Sequence, residues 1–125
     1  MLDKRVAGVW IDHQKAVIIK NHDGHEVSEF KVSETQKEKH QHGHSNESAI
    51  HHAEHTLRMK FFKEIEKAIT NSVELYITGP GISQEELKNH LLATAQYKNL
   101  KISLGTSTNS DEHYVLEEVK KHYHA

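Results

Sequence analysis

Alternating and β-branched apolar residues in the first third of the chain predict three strands. Lys4–Asp12 is apolar at both alternations, which is typical of a strand buried on both faces of a sheet. Lys15–Lys20 is β-branched. Glu26–Ser33 alternates as an amphipathic edge strand does, with one slip in register near Glu29. The connections are short and one contains Asp-Gly, so we expect an antiparallel meander.

Apolar residues at three- and four-residue spacing then predict one long amphipathic helix. The expected buried stripe comprises Ile50, Ala53, Leu57, Phe61, Ile65 and Ala68. Ser45 or Asn46 can cap the start of the helix, and the pattern ends by Asn71. On the charged face, Lys63 and Lys67 form a like-charged pair at four-residue spacing, which is unfavourable.

The remaining chain alternates strand and helix. Val73–Thr78 is expected to be a central strand, and a Gly79-Pro80-Gly81 turn follows it. Ser83 with Glu86 forms a capping box for a second helix that ends near Tyr97.

A fifth strand, Leu100–Leu104, precedes a last helix that Ser110 or Asp111 can cap. The inward-facing residues expected in the two helices are Leu87, Leu91, Leu92, Val115, Leu116 and Val119. The order βββαβαβα predicts an α/β fold with one mixed sheet and helices on both faces.

Composition limits the possible function classes. The 125 residues fit a single domain, 1–125, and contain no cysteine, so disulfides and thiolate metal sites are excluded. No apolar run is long enough to span a bilayer, and we expect a cytoplasmic protein without membrane association. The net charge of −2 lacks the basic excess of a general nucleic-acid binder, although thirteen histidines can reverse its sign near neutral pH.

A polar loop at about 34–47, which we expect to be flexible, opens a histidine-rich stretch. His40, His42 and His44 alternate, and His51 and His55 share a helical face. Imidazoles at this spacing suit zinc, nickel or copper. The alternative interpretation is a solvated loop that binds metals only weakly, because histidine-rich composition is an unspecific signal.

Two further patterns carry weaker indications. A glycine turn before a helix can bind phosphate, but Gly79-Pro80-Gly81 lacks the Walker sequence, and a tight strand-to-helix connection is the favoured interpretation. A nuclease would need several acidic ligands for a divalent metal. The candidates are only Asp12, Glu54 and Glu74, and Asp12 is expected to close a turn.

The element order, together with the polar loop, the long helix and the Gly79-Pro80-Gly81 turn, resembles the middle domain of archaeal and eukaryotic class I peptide release factors and of Pelota. The resemblance extends from about Arg5 to Tyr123. It implies a ribonuclease-H-like sheet with strand order 3-2-1-4-5. In release factors the loop carries Gly-Gly-Gln followed by Ser-Ala, and here Ser48-Ala49 takes the latter place.

The chain departs from that family at the tripeptide, where Ser45, Asn46 and Glu47 replace Gly-Gly-Gln. Serine and asparagine lack the backbone freedom of glycine, and a carboxylate would repel a developing oxyanion. The resemblance therefore does not imply release activity. Pelota shares the domain without the tripeptide and acts by binding stalled ribosomes.

The leading hypothesis is a non-catalytic, translation-factor-like binding domain that contacts the ribosome, tRNA or other RNA, or a protein partner. Its candidate RNA-binding residues are Lys37, Lys39 and Arg58. One alternative is a histidine-rich protein that binds metal or responds to pH. A further alternative is a peptidyl-tRNA hydrolase that uses Glu47 or a loop histidine.

Overall fold

The computed structural model describes residues 3–37 and 47–124, without the side chains of 47–55. The strands are β1 (Val6–Ile11), β2 (Lys15–His22), β3 (Val27–Lys37), β4 (Glu74–Thr78) and β5 (Lys101–Leu104). The helices are α1 (Glu47–Ala68), α2 (Ser83–Leu92), a short 3-10 helix (Ala95–Tyr97) and α3 (Glu112–His122). No helix in these ranges is long and apolar enough to cross a membrane.

The five strands form one mixed sheet of order β3-β2-β1-β4-β5. The meander β1-β2-β3 is antiparallel, and β1-β4 and β4-β5 are parallel. The predicted α/β class, element order and strand order are therefore confirmed. The strand β4 is central, as expected for Val73–Thr78, because it pairs with β1 on one side and with β5 on the other, and β1 is the middle strand of the five.

Helices cover both faces of the sheet, as predicted. One face packs on α1 and α2, and its largest fully buried side chains are Ile11, Ile18, Ile65, Ile69, Leu75, Ile77, Leu87 and Leu91. The other face packs on α3 and comprises Val6, Trp10, Val17, Ile19, Tyr76, Val115, Val119 and Tyr123. Every residue of β1 is buried because its alternate side chains enter these two cores.

A glycine in β1 sets the distance between α3 and the sheet. A Cβ atom at Gly8 would lie 2.3 Å from Cγ2 of Val119. The absence of a side chain at Gly8 therefore lets Val119 pack directly on the strand backbone, and residue 8 cannot be enlarged without moving α3.

The strand β3 is longer than the sequence pattern suggested. Residues 34–37, which were assigned to the flexible loop, pair with the first half of β2, and Lys37 is opposite Lys15. The pairing contains two register shifts, one of which leaves Ser33 without a partner between Val32 and Glu34. Residues 34–37 contain no apolar side chain, so the apolar alternation stops before the strand itself ends at Lys37. The expected mobility of 38–46 concerns residues outside the described ranges.

The helix α1 buries most of the predicted stripe that the structure describes. Phe61, Ile65 and Ala68 are buried, as is the unpredicted Phe62, whereas Leu57 is only half-buried. A helix of 22 residues is about 33 Å long, and a six-residue strand spans about 20 Å. The helix α1 is therefore longer than β1. The side chains of the remaining stripe residues, Ile50 and Ala53, lie outside the description.

The C-terminal helices bury the predicted residues with one exception, although α2 ends at Leu92 and not near Tyr97. Val115 and Val119 are buried, Leu116 is partly buried, and Asp111 caps α3 by accepting a hydrogen bond from the Tyr114 amide. Leu92, which was expected to face inward, is 37% exposed. The helix α2 ends at Leu92, one residue past the inward-facing Leu91, so this side chain points away from the sheet.

A buried histidine closes the edge of the sheet where β1 begins. Nδ1 of His22 accepts a hydrogen bond from the Gly24 amide at 2.9 Å, so Nε2 carries the proton and donates to Oγ of Ser72 at 2.8 Å. Burial lowers the pKa of His22 to about 4, and the charges of Lys20 and Arg5 act in the same direction. The imidazole is therefore neutral at pH 7.

Replacing Phe61 with alanine should lower the free energy of unfolding by about 3–5 kcal/mol, because the buried ring leaves a cavity. Leu57→Ala should lower the free energy of unfolding by a smaller amount, since Leu57 is half-buried. Chemical denaturation measures both variants, with exposed Thr56→Ala on the same helix as the control. An unchanged midpoint for Phe61→Ala would contradict the packing of α1.

The buried imidazole of His22 should make stability depend on pH. In the unfolded chain its pKa is about 6.5, so the unfolded state binds more protons between that value and the folded value of about 4. The stabilisation is complete above pH 6.5 and is lost as the pH falls towards 4.

Denaturant unfolding at pH 7.5 and pH 5 tests this expectation. Between pH 7.5 and pH 5 the free energy of unfolding should decrease less in His22→Gln than in the parent. Exposed His25→Gln should show the same decrease as the parent. Some slope should remain, because burial also lowers the pKa of His122. Identical pH profiles for the parent and His22→Gln would contradict the lowered pKa of His22.

Candidate functional site at the carboxyl edge of the sheet

The carboxyl ends of β1 and β4 lie side by side, and in open α/β sheets ligands commonly bind outside this edge. The turn after β4 is packed against the end of β1. A Cβ atom at Gly79 would lie 2.1 Å from the Ile11 carbonyl oxygen, so only glycine fits here.

A buried amide joins the segments of this edge. Nε2 of Gln84 donates to the carbonyl oxygen of Gly79 at 2.6 Å and to that of Gly105 at 3.2 Å. Oε1 of Gln84 accepts from the Gly81 amide at 3.3 Å. Gln84 is 4% exposed, so the Gly81 amide and the Gly105 carbonyl oxygen would lose this partner if the side-chain amide were removed, whereas the Gly79 carbonyl oxygen also accepts from the Ser107 amide at 2.8 Å. Gln84 could not be singled out in the sequence, because a glutamine in the first turn of a helix resembles a solvent-exposed polar position.

These contacts favour the tight-connection interpretation of the Gly79-Pro80-Gly81 turn. The Gly81 amide, which a bound phosphate would need, donates to Gln84 instead. The predicted capping box at Ser83 is also wrong, because the capping residue of α2 is Ile82 and no side-chain cap is formed. The Ser83 hydroxyl accepts a hydrogen bond from Arg58 at 3.1 Å.

Arg58 connects α1 to this edge. Its guanidinium donates to the carbonyl oxygens of Asp12 at 3.3 Å and His13 at 3.5 Å, and Nη2 lies 3.7 Å from Oε1 of Glu86. Its Cζ is 4.7 Å from the ring centroid of Phe62. The contacts place Arg58 between the end of β1 and the start of α2. Its predicted role in RNA binding stays a prediction.

Asp12 closes the turn after β1, as expected. Its Oδ1 accepts from the amides of Gln14 at 2.7 Å and Lys15 at 2.8 Å. Among the residues that the structure describes, no three histidine or acidic side chains are grouped so that they could hold a metal ion. The nuclease interpretation therefore gains no support there.

The histidine-rich segment connects to this same edge. Lys37, the last residue of β3, is exposed and lies opposite Lys15, next to the end of β1. The helix α1 begins at Glu47, which is the third residue of the predicted tripeptide place. The other predicted site residues fall outside the described ranges, namely Lys39, His40, His42, His44, Ser45 and Asn46. The same holds for the side chains of Glu47, His51 and His55.

No protein-family model and no curated protein matches the sequence. Solved structures do match. Pelota from Thermoplasma acidophilum has a TM-score of 0.60 at 16% identity, over 94% of this chain and 32% of Pelota. An archaeal translation termination factor has a TM-score of 0.56 at 13% identity, over 97% of this chain and 35% of the factor. Archaeoglobus fulgidus Pelota has a TM-score of 0.55 at 12% identity, over 98% and 36% of the two chains.

The chain spans about a third of the length of these proteins. At such low sequence identity the likeness concerns the fold. The order β3-β2-β1-β4-β5, with α1 and α2 on one face and α3 on the other, is thus an arrangement that archaeal translation proteins also use. In fold, this chain is a domain of the Pelota and archaeal termination factor type, in agreement with the resemblance seen in the sequence.

Proposed function

We propose that this chain is a non-catalytic, translation-factor-like binding domain that associates with the ribosome through RNA. The observation that carries the proposal is the fold, which nearly the whole chain shares with archaeal Pelota and a termination factor. The sequence at the tripeptide place, Ser45-Asn46-Glu47, supports binding without hydrolysis. A carboxylate there has no hydrogen to donate to an oxyanion.

The contacting surface that we propose is the loop between β3 and α1. The loop begins after Lys37, the exposed last residue of β3, and it ends where α1 begins at Glu47. Lys37 and Lys39 would contact RNA phosphates, and the histidines would add positive charge below neutral pH. Hydrogen bonds of Gln84 and Arg58 connect the other segments at this edge, so the loop is attached to a rigid part of the fold.

Charge reversal at Lys37 should weaken ribosome association several-fold, because a cation next to RNA phosphates would become an anion. The measurement is sedimentation of the purified protein with ribosomes through a sucrose cushion at low salt. Lys31→Glu is the matched control, since Lys31 is an exposed lysine on the same strand but away from the carboxyl edge.

Two outcomes would contradict the proposal. If the parent protein does not sediment with ribosomes, the proposed function is wrong. If Lys31→Glu weakens association as much as Lys37→Glu does, the effect reflects net charge and not a contact at the carboxyl edge.

The isolated chain should not release the ester of peptidyl-tRNA. His44 and neighbouring histidines could act as general bases, but such help contributes only about 10²–10⁴-fold without oxyanion stabilisation. The assay follows ester release with and without ribosomes for the parent, Glu47→Gln and His44→Ala. Turnover by the parent that either variant abolishes would establish a hydrolase instead.

The metal hypothesis for zinc, nickel or copper at the histidine-rich stretch stays a prediction. Its five candidate ligands are His40, His42, His44, His51 and His55. Both proposals use these imidazoles, but in different states, since metal binding requires the neutral form and phosphate attraction requires the protonated form.

A further inference from the structure

A groove runs between the C-terminal end of α1 and the segment that joins α2 to β5. One part of it, of about 240 Å³, is lined by Lys63, Glu66, Lys67, Thr70, Gln96 and Tyr97. The adjoining part, of about 320 Å³, shares Gln96 and Tyr97 and extends to Asn71, Val73, Asn99 and Leu100. Both parts fall near or within the size range of small-ligand sites.

The end of the groove at α1 is positively charged. Lys63 and Lys67 are exposed and four residues apart on one helix, an arrangement that repels and destabilises by a few tenths of a kcal/mol. Two acidic side chains lie close to them: Oε1 of Glu64 is 3.3 Å from Nζ of Lys67, and Glu66 lines the groove together with the lysines. An anion between the two lysines would relieve this repulsion.

The carbonyl oxygens at the end of α1 that would oppose an anion here already accept hydrogen bonds. Helix C-termini normally repel anions through their free carbonyl oxygens. Here the Lys67 carbonyl accepts from Oγ1 of Thr70 at 2.9 Å, and the Glu66 carbonyl accepts from the Tyr97 hydroxyl at 2.7 Å. The Glu66 carboxylate is 2.8 Å from Nε2 of His90, on the side facing α2.

The other end of the groove combines amides with apolar surface. Asn71, Gln96 and Asn99 line it and are exposed, and Val73 is 46% exposed beside Leu100. Carboxamides form hydrogen bonds with base edges, and bases stack on apolar and aromatic surfaces. The two ends together thus match a phosphate joined to a base.

We infer that this groove binds a nucleotide unit of single-stranded RNA, with a phosphate at Lys63 and Lys67 and the base towards Asn99. The inference rests on the proposed function in taking RNA as the partner. It adds a second contact, which lies on α1 and the α2–β5 connection and is separate from the loop at the carboxyl edge.

Fluorescence anisotropy with a labelled single-stranded oligoribonucleotide, measured over a range of salt concentrations, tests the groove. The one phosphate held by the two lysines should contribute about 0.7 to the slope of log affinity against log salt. Lys63→Gln and Lys67→Gln should each weaken binding and reduce the slope, and the double variant should lower it by about 0.7. Lys60→Gln is the matched control, because Lys60 is exposed on the same helix but does not line the groove.

Asn99→Ala tests the base-binding end. It should weaken binding of the oligoribonucleotide without changing the salt slope, because no charge is removed. Backbone amide NMR shifts with inorganic phosphate alone supply a second arm. Phosphate shifts in the groove without any RNA affinity would mean a free-anion site and would overturn the inference.

Equal losses of RNA affinity in Lys60→Gln and Lys63→Gln would also overturn the inference, since the affinity would then depend on the overall charge of the protein and not on a contact in the groove. The ribosome experiment separates this inference from the proposed function. Sedimentation with ribosomes but no RNA binding in the groove would reject the groove alone. RNA binding that depends on Lys63 and Lys67, without sedimentation, would reject the ribosomal function and keep the groove.

Discussion

Burial of β1 on both faces is the constraint on which the rest of the structure depends. A strand whose alternate side chains are all apolar needs a cover on each face and a partner strand on each side. Val9 and Ile11 require α1 and α2, and Val6 and Trp10 require α3. Gly8 then determines how closely α3 approaches. The meander and the two parallel strands together satisfy all these requirements within one domain.

The same arrangement gives the two edges of the sheet different properties. At the carboxyl edge, Gln84 and Arg58 pair the backbone groups of separate loops, so the ends of β1 and β4 are held at close distance. At the opposite edge, His22 accepts a hydrogen bond from the Gly24 amide in the β2–β3 hairpin, and Asn21 accepts one from the Val6 amide at the start of β1. Beside this second edge, the groove lies between the α2–β5 connection and the C-terminal end of α1.

The element order could be predicted because apolar period distinguishes helix from strand locally. The strand order came from the family resemblance and not from apolar period, since β1 and β4 are both apolar and strand pairing is non-local. The end of β3 could not be predicted, because residues 34–37 contain no apolar side chain that would continue the alternation. Ser83 and Gln84 were misjudged because their partners, Arg58 and Gly105, are distant in the chain. Lys63 and Lys67 were recognised as a repulsive pair, but the groove beside them depends on tertiary packing.

That like-charged pair shows how a sequence conflict can indicate function. In a domain selected for stability alone, Lys63 and Lys67 would be expected to carry opposite charges, as Lys60 and Glu64 do on the same helix. The helix α1 is held through Phe61, Phe62 and Ile65, so it can tolerate an unfavourable surface pair costing a few tenths of a kcal/mol. The predicted correspondence of Ser45-Asn46-Glu47 with Gly-Gly-Gln calls for a similar argument, because the fold is shared and the side chains differ. A fold positions side chains but does not define their chemistry, so function has to be argued from the residues at each place.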